Sequence, residues 1–262
     1  MKTKKSLGQH FLTSKRTIAD IIRAADVKPG DTIIEIGPGK GVLTRALLEA
    51  GSMVVAIERD PELVEYLQKE FEKEITRERL KLVRDDVRSF EPKTYRLGPG
   101  TYKLVANIPY YITGEILRSF LSSDVQPERM VLLVQKEVVD RVTARDDKES
   151  ILSMSVKAYG TPRKVGNVPA RYFNPRPKVD SAILSIKHIS QNFFNTINEE
   201  IFFKIIHAGF RHKRKLLIGN LVEVCSKETL KTAFAECGIS EKTRAENLSL
   251  SNWKCLIQNI PQ

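Results

Sequence analysis

The sequence predicts an α/β fold, a parallel sheet with helices on both faces, followed by a small all-helical domain. Three observations predict it. Apolar, β-rich runs alternate with helical patterns up to about residue 187. A glycine-rich turn follows the first of these runs and opens a helix. From about Gln191 the texture changes to short amphipathic helices alone. The domain boundary therefore falls between residues 188 and 189, with 1–188 as the sheet domain and 189–262 as the helical one.

Thr17 to Ala25 carries Ile18, Ile21, Ile22 and Ala25 at helical spacing. Pro29-Gly30-Asp31 is a turn, and Thr32 to Ile36 reads as a buried strand. It ends in Gly37-Pro38-Gly39-Lys40-Gly41, and Val42 to Ala50 follows as a helix stopped by Gly51. Met53 to Ile57 is the second strand, ending on Glu58. Asp60-Pro61 supplies a capping carboxylate and a proline for the next helix, whose apolar face is Leu63, Val64, Leu67 and Phe71. Leu80 to Val83 runs into Arg84-Asp85-Asp86, Lys103 to Ala106 runs into Asn107, and Met130 to Val134 is the fifth strand. Two further β-rich stretches lie near Ser153–Tyr159 and Ser181–Lys187, with a proline-rich loop from Val168-Pro169 to Pro177 between them. Beyond, Glu199–Phe210, Leu216–Cys225 and Glu228–Cys237 read as amphipathic helices.

The chain has 262 residues, 41% hydrophobic and 29% charged, enough for a proper core with an ordinary globular surface. No apolar run approaches the roughly 18 residues of a membrane span. The basic start, Met1 to Lys5, is followed by polar residues rather than an apolar stretch, so no secretory signal is expected. Cys225, Cys237 and Cys255 form no metal or redox motif and read as small buried thiols of a reducing cytoplasm. His10, His188, His207 and His212 have no ligand spacing with them, and no metal is expected. The net charge of +11 favours a polyanionic partner over a merely soluble basic surface.

Glycines in Glu35-Ile36-Gly37-Pro38-Gly39-Lys40-Gly41 permit positive φ and close approach of a ligand to the backbone. Glu58, about 20 residues on, ends the next strand where a carboxylate can accept both ribose hydroxyls. The full dinucleotide fingerprint is not met, since position 42 is Val, and no Lys-Ser or Lys-Thr follows to hold a triphosphate. Asp86, at the third strand end, can accept from the amino group of an adenine lying across the sheet. Gly37, Glu58 and Asp86 thus suit one adenosine-bearing cofactor, S-adenosylmethionine. In the competing view Glu58 and Asp86 only cap the helices that follow.

Asn107-Ile108-Pro109-Tyr110 ends the fourth strand. The N6 of adenine is a poor nucleophile because its lone pair is delocalised into the ring. The Asn107 amide oxygen can accept one N6 hydrogen, and the Ile108 carbonyl, held by Pro109, the other. Both draw the nitrogen toward a localised lone pair. Tyr110 can stack on a flipped base. Such chemistry runs on positioning and electrostatics, without a metal or covalent nucleophile. A plain Asn-X-Pro turn is the bland alternative. Tyr111 fits the core better than a second stacking role.

With these residues in view, the chain resembles the ribosomal RNA adenine N6,N6-dimethyltransferase family in its bacterial, small-subunit form. The resemblance runs over nearly the whole chain. It includes Leu7-Gly8-Gln9-His10-Phe11-Leu12, Glu35 to Gly39, Asn107 to Ile112, Val134-Gln135-Lys136-Glu137-Val138, Pro175-Arg176-Pro177-Lys178-Val179-Asp180-Ser181-Ala182 and Phe210-Arg211-His212-Lys213-Arg214-Lys215. It implies a Rossmann-like S-adenosylmethionine methyltransferase sheet. It implies a cofactor pocket of His10, Leu12, Gly37, Glu58, Asp86 and Asn107. Phe173 would face the target adenine opposite Tyr110. The implied product is two adjacent N6,N6-dimethyladenosines near the 3′ end of small-subunit rRNA. Many members carry Asn at the place of His10 and Leu at that of Ile108; neither change removes a needed side-chain function.

The nearest rival is the macrolide-resistance branch, which acts on large-subunit RNA and often carries Ile at the position of Ile108. The runs Lys178 to Ser181 and Gln135 to Val138 look more like the small-subunit branch. Arg211, Lys213, Arg214 and Lys215, with Lys2, Lys4, Lys5, Lys15 and Arg16, can flank an RNA groove or form a solvated face. Two other functions stay open: methylation of DNA adenine or a protein amide, and ribosome assembly mainly by binding. The expected partner is small-subunit rRNA within an immature 30S-type subunit, met by a cytoplasmic monomer.

Overall fold

The computed structural model describes residues 9–260. The chain divides into two compact units, residues 1–139 with 161–189, and residues 140–160 with 190–262.

The elements in chain order are β1 (Phe11–Leu12), α1 (Lys15–Ala25), β2 (Thr32–Ile36), α2 (Val42–Glu49), β3 (Met53–Glu58), α3 (Pro61–Glu70), α4 (Glu72–Thr76), β4 (Leu80–Arg84), β5 (Lys103–Asn107), α5 (Thr113–Leu121), β6 (Arg129–Gln135), α6 (Lys136–Val142), α7 (Ile151–Lys157), β7 (Thr161–Val168), β8 (Phe173–Asn174), β9 (Ser181–Lys187), α8 (Glu199–Gly209), α9 (Leu217–Leu221), α10 (Lys227–Glu236) and α11 (Leu250–Gln258). Seven strands form one sheet in the order β4-β3-β2-β5-β6-β9-β7. The first five run parallel, and β9 pairs antiparallel with both β6 and β7. Strand order reverses between β2 and β5, so the crevice beyond their carboxyl ends is the expected ligand position.

The inner strands are near-continuous apolar runs because helices cover both faces. Ile33, Ile34, Leu104, Val105, Ala106 and Val131 are fully buried. Ile18, Ile21 and Ala25 of α1 and Leu43 and Leu47 of α2 join this core. Local chemistry sets the helix starts. Ser14 accepts from the Thr17 amide at α1, and Asp60 from the Glu62 amide at α3, with Pro61 in the first turn.

The second unit holds α7 to α11. Trp253, Phe202, Leu217, Leu230 and Phe234 are buried there. A Cβ on Gly209 would run into the Trp253 ring and Leu217, so α8 closes against α11 only with a glycine there. Asn220 donates to the carbonyls of Gly209 (2.6 Å) and His212 (3.2 Å) and pins the turn after α8.

Several expectations need correction. Ser153–Tyr159 is not a strand: Ser150 and Ser153 form a reciprocal cap, and Ile151–Lys157 is helix α7. Residues 140–160 belong with the second unit rather than with the sheet. The helix expected over Leu216–Cys225 is short, Leu217–Leu221. Strand β7 was unforeseen; its residues Thr161-Pro-Arg-Lys-Val-Gly-Asn-Val are polar enough to pass for loop, which an edge strand with Pro162 allows. Cys237 and Cys255 are not free thiols but a disulfide spanning 18 residues. It joins the end of α10 to α11, helices whose contact no cysteine spacing announces. Cys225 is free and half-buried. No described helix is long and apolar enough to cross a membrane.

Candidate active site

A cleft lies beyond the carboxyl ends of β2, β3, β4 and β5, lined among others by His10, Leu12, Gly37, Glu58, Asp86 and Asn107. These are the six residues expected around the cofactor, and the fold brings all of them together.

The glycine turn is held from two sides. Gly39 has φ +58°, and a Cβ there would strike the Phe11 ring; Gly41 has φ +75°, and a Cβ would strike Phe71. Glu58 is buried at the end of β3, and its carboxylate accepts from the amides of Gly39 (3.3 Å) and Asp60 (2.9 Å). Burial raises the Glu58 pKa, backbone hydrogen bonds to Asp60, Gly39 and Arg59 oppose this, and the Asp60 charge adds to it. These backbone donors leave the Glu58 carboxylate capacity to accept from a hydroxyl donor.

Glu35 is a lining residue that sequence reasoning passed over, although it opens the glycine motif. It is fully buried, and burial pushes its carboxyl up to about 8, with Thr44 opposing and the Glu58 charge adding. Its Oε2 has no hydrogen-bond partner, nor has the Thr44 hydroxyl. Glu35 therefore presents one buried carboxyl oxygen, Oε2, without a partner at the cleft.

The N-terminal arm closes one side of the cleft. Phe11 and Leu12 pair antiparallel with Asn174 and Phe173. The His10 ring nitrogen Nδ1 bonds the Pro175 carbonyl at 2.7 Å, which makes Nδ1 the protonated nitrogen. Asn107 donates from its side-chain nitrogen to the His10 carbonyl at 3.1 Å. This fixes the amide so that Oδ1 is the atom left to accept from a ligand.

Ile108 is buried, and Pro109 holds φ −56°, ψ 134° before a tight turn over Tyr110–Ile112. Tyr110 stacks with His10, ring centroids 6.0 Å apart and planes at 23°. Its hydroxyl shares a 2.8 Å hydrogen bond with Ser181, a residue whose part in the site only the Pro175–Ala182 motif hinted at. Burial raises the Tyr110 pKa, against the Ser181 hydrogen bond and with the Asp180 charge. Tyr111 is 63% exposed on the cleft rim, which overturns its placement in the core.

Phe173 does not line the cleft. Its ring is buried in the hydrophobic core beside Leu12 of the arm, because β8 turns that face inward on pairing with β1. A place opposite Tyr110 would need this ring to turn out.

Asp86 sits at the cleft edge, and its carboxylate is forked by Arg88, Nε to Oδ1 at 2.9 Å and Nη2 to Oδ2 at 2.6 Å. The Arg88 side-chain hydrogen bonds above all, then its backbone amide and charge and the Arg59 charge, draw the Asp86 pKa down to about 2 against desolvation by burial. Nothing in the residue pattern pointed to Arg88 or Arg59.

In the second unit, Arg211, Lys213, Arg214 and Lys215 are all exposed on the segment between α8 and α9, and Arg211 pairs with Glu223. Lys15 and Arg16 are exposed at the start of α1. Lys2, Lys4 and Lys5, and Leu7 and Gly8 of the first motif, lie outside the described residues. No cluster of His, Cys, Asp and Glu able to hold a metal occurs among the described residues.

Comparison with known proteins places this geometry. A family model described as "Ribosomal RNA adenine dimethylase" matches residues 1–261. A Ribosomal RNA small subunit methyltransferase A of Dehalococcoides mccartyi (strain ATCC BAA-2100) is 40% identical over 258 residues, covering 98% of this chain and 88% of that protein. The protein of the same name from Fusobacterium nucleatum is 39% identical over 261 residues, covering 98% and 97%. The crystal structure of the 23S rRNA methyltransferase ErmE superposes with a TM-score of 0.79 at 25% identity, covering 96% and 100%. The fold is thus shared by enzymes of both ribosomal subunits, whereas the higher identity lies with the small-subunit proteins. Model match, identity and coverage agree with the cleft built above: this chain belongs to the ribosomal RNA adenine dimethylase family.

Proposed function

We propose that the protein dimethylates N6 of two adjacent adenosines near the 3′ end of small-subunit (16S) rRNA, with S-adenosylmethionine as methyl donor. The observation that carries this reading is the Asn107 amide. Its nitrogen is engaged by the His10 carbonyl, leaving Oδ1 facing the cleft as a fixed acceptor for an exocyclic amino hydrogen.

The residues present fit the cofactor. At Gly37, which borders the cleft, a Cβ would meet nothing closer than the Asn107 carbonyl at 3.7 Å, and Glu35 offers a buried carboxyl oxygen without a partner. Glu58 would hold the ribose hydroxyls, Asp86 the adenine amino group, and the turn at Gly37 the main body. When bound, S-adenosylmethionine supplies an electrophilic methyl group on sulfur.

The chain supplies the geometry. Asn107 Oδ1 and the Ile108 carbonyl accept the two N6 hydrogens and favour a pyramidal nitrogen with a localised lone pair. Tyr110, held by Ser181, gives the flipped base a stacking surface. Such positioning accounts for rate without a strong base, since the nitrogen becomes acidic only after gaining a methyl. The exposed cations Arg211, Lys213, Arg214 and Lys215 contact RNA phosphate, where they set affinity and orientation. The enzyme acts as a monomer in the cytoplasm on immature 30S-type subunits.

The test is transfer of labelled methyl groups to immature small subunits lacking the modification. Primer extension is expected to stop at two adjacent adenosines. Label confined to large-subunit RNA moves the protein to the resistance-type activity, and label on duplex DNA alone overturns the RNA reading.

A further inference from the structure

The four contacts on Asp86 do more than lower its pKa. The Oδ1 atom accepts from the Arg88 amide (3.1 Å) and Arg88 Nε (2.9 Å). The Oδ2 atom accepts from Arg88 Nη2 (2.6 Å) and faces Arg59 Nη1 at 3.2 Å. An ionised carboxylate offers about four lone-pair sites. Three of these are filled by hydrogen bonds from Arg88, and the Arg59 guanidinium stands against Oδ2 as an ion pair, so an adenine amino group finds the carboxylate already occupied chiefly by Arg88. The Arg88 side chain contributes two of the four contacts and is 47% exposed at the mouth of the cleft, free to swing into solvent. The main-chain donor cannot leave without unwinding the turn over Val87–Ser89, and Arg59 makes a single, longer contact.

We propose that Arg88 is a latch on Asp86, which the adenine of the cofactor displaces as it binds. This rests on the reading of Asp86 as the acceptor for the adenine amino group. The latch makes Arg88 a specificity-determining residue: a ligand enters with its ring in place only if it offers a donor that replaces the guanidinium. It also holds the carboxylate ionised and aimed until the cofactor arrives. The fork geometry is particular to arginine, since a lysine ammonium cannot bond both oxygens in parallel.

Calorimetric binding of S-adenosylhomocysteine to the full chain tests this, with wild type, Arg88→Ala, Arg88→Lys, Asp86→Ala and the double variant. Removal of the latch is expected to tighten binding about three- to fivefold, the range of an exposed ion pair, with Arg88→Lys between. Asp86→Ala is expected to weaken binding, and Arg88→Ala to have no further effect on top of it. Raising salt from about 0.05 M to about 0.5 M should bring wild-type affinity toward that of Arg88→Ala, because screening weakens the latch. If Arg88→Ala binds equally or more weakly while Asp86→Ala still weakens binding, the latch is wrong and the Asp86 reading stands. If Asp86→Ala binds as wild type, the Asp86 reading falls and the latch falls with it.

Discussion

The side-chain amide of Asn107 is tied to the backbone carbonyl of His10, 97 residues earlier in the chain, by a 3.1 Å hydrogen bond. The N-terminal arm thereby orients the amide that we propose meets the target amine. Asn107→Ala is expected to lower methyl transfer by roughly 10²–10³, while cofactor affinity, for which Gly37, Glu58 and Asp86 are the proposed contacts, is expected to change less than about tenfold. Single-turnover kinetics with calorimetry separate the two. Full turnover in the variant would remove Asn107 from the chemistry.

Tyr110 has two contacts of different kinds, the Ser181 hydroxyl and the His10 ring. Tyr110→Phe loses only the first and is expected to keep activity within about fivefold, the worth of one ordinary hydrogen bond. Tyr110→Ala also loses the stacking face, worth about 1–3 kcal/mol per base. Its kcat/KM on RNA should fall by one to two orders of magnitude. Equal losses in both variants would mean that the hydroxyl, not the ring, matters.

Glu35 makes stability depend on pH with a definite sign. Its carboxyl is raised by burial to about 8 in the fold, from an ordinary value of 4.5. Between these values the folded state holds a proton that the unfolded chain gives up. Stability therefore falls as pH rises from about 4.5 through about 8 and levels off above. Glu35→Gln has no such proton to lose. Thermal melts from about pH 5 to about pH 9 should show wild type losing ground to the variant across that window. Parallel curves would show the carboxyl ionised throughout.

In a helix, Gly→Ala commonly adds up to about 1 kcal/mol of stability. At Gly209 the sign should reverse. The new methyl would meet Trp253 and Leu217 in a packed core, and overpacking costs about 1–3 kcal/mol. Chemical denaturation of Gly209→Ala, followed by Trp253 fluorescence, is the measurement. A stabilised variant would mean that α8 and α11 have room to part.

The parallel strands were legible because each is an apolar run bounded by turn chemistry and followed by a helical pattern. The places of Glu58, Asp86 and Asn107 in the cleft were legible for the same reason: each is the last residue of a strand, or lies just past its end, and topology brings such ends together. Ser153–Tyr159 misled because its apolar content suits a strand, while the Ser150–Ser153 cap that makes it helical is a local signal easily overlooked. Contacts between distant segments left no trace in the pattern. The Arg88 fork on Asp86, the Cys237–Cys255 bridge and the inward turn of Phe173 depend on how side chains meet in space.

The Phe71 ring lies behind the glycine turn, where a Cβ on Gly41 would strike it, and the Arg45 guanidinium covers that ring at 4.8 Å. Phe71 itself is 1% exposed and does not border the cleft. The turn is therefore set by core packing before any ligand arrives, and binding has little loop entropy left to lose. Phe71 does not border the cleft, yet loosening its ring is expected to convert a preformed cradle into one that each incoming molecule must organise for itself.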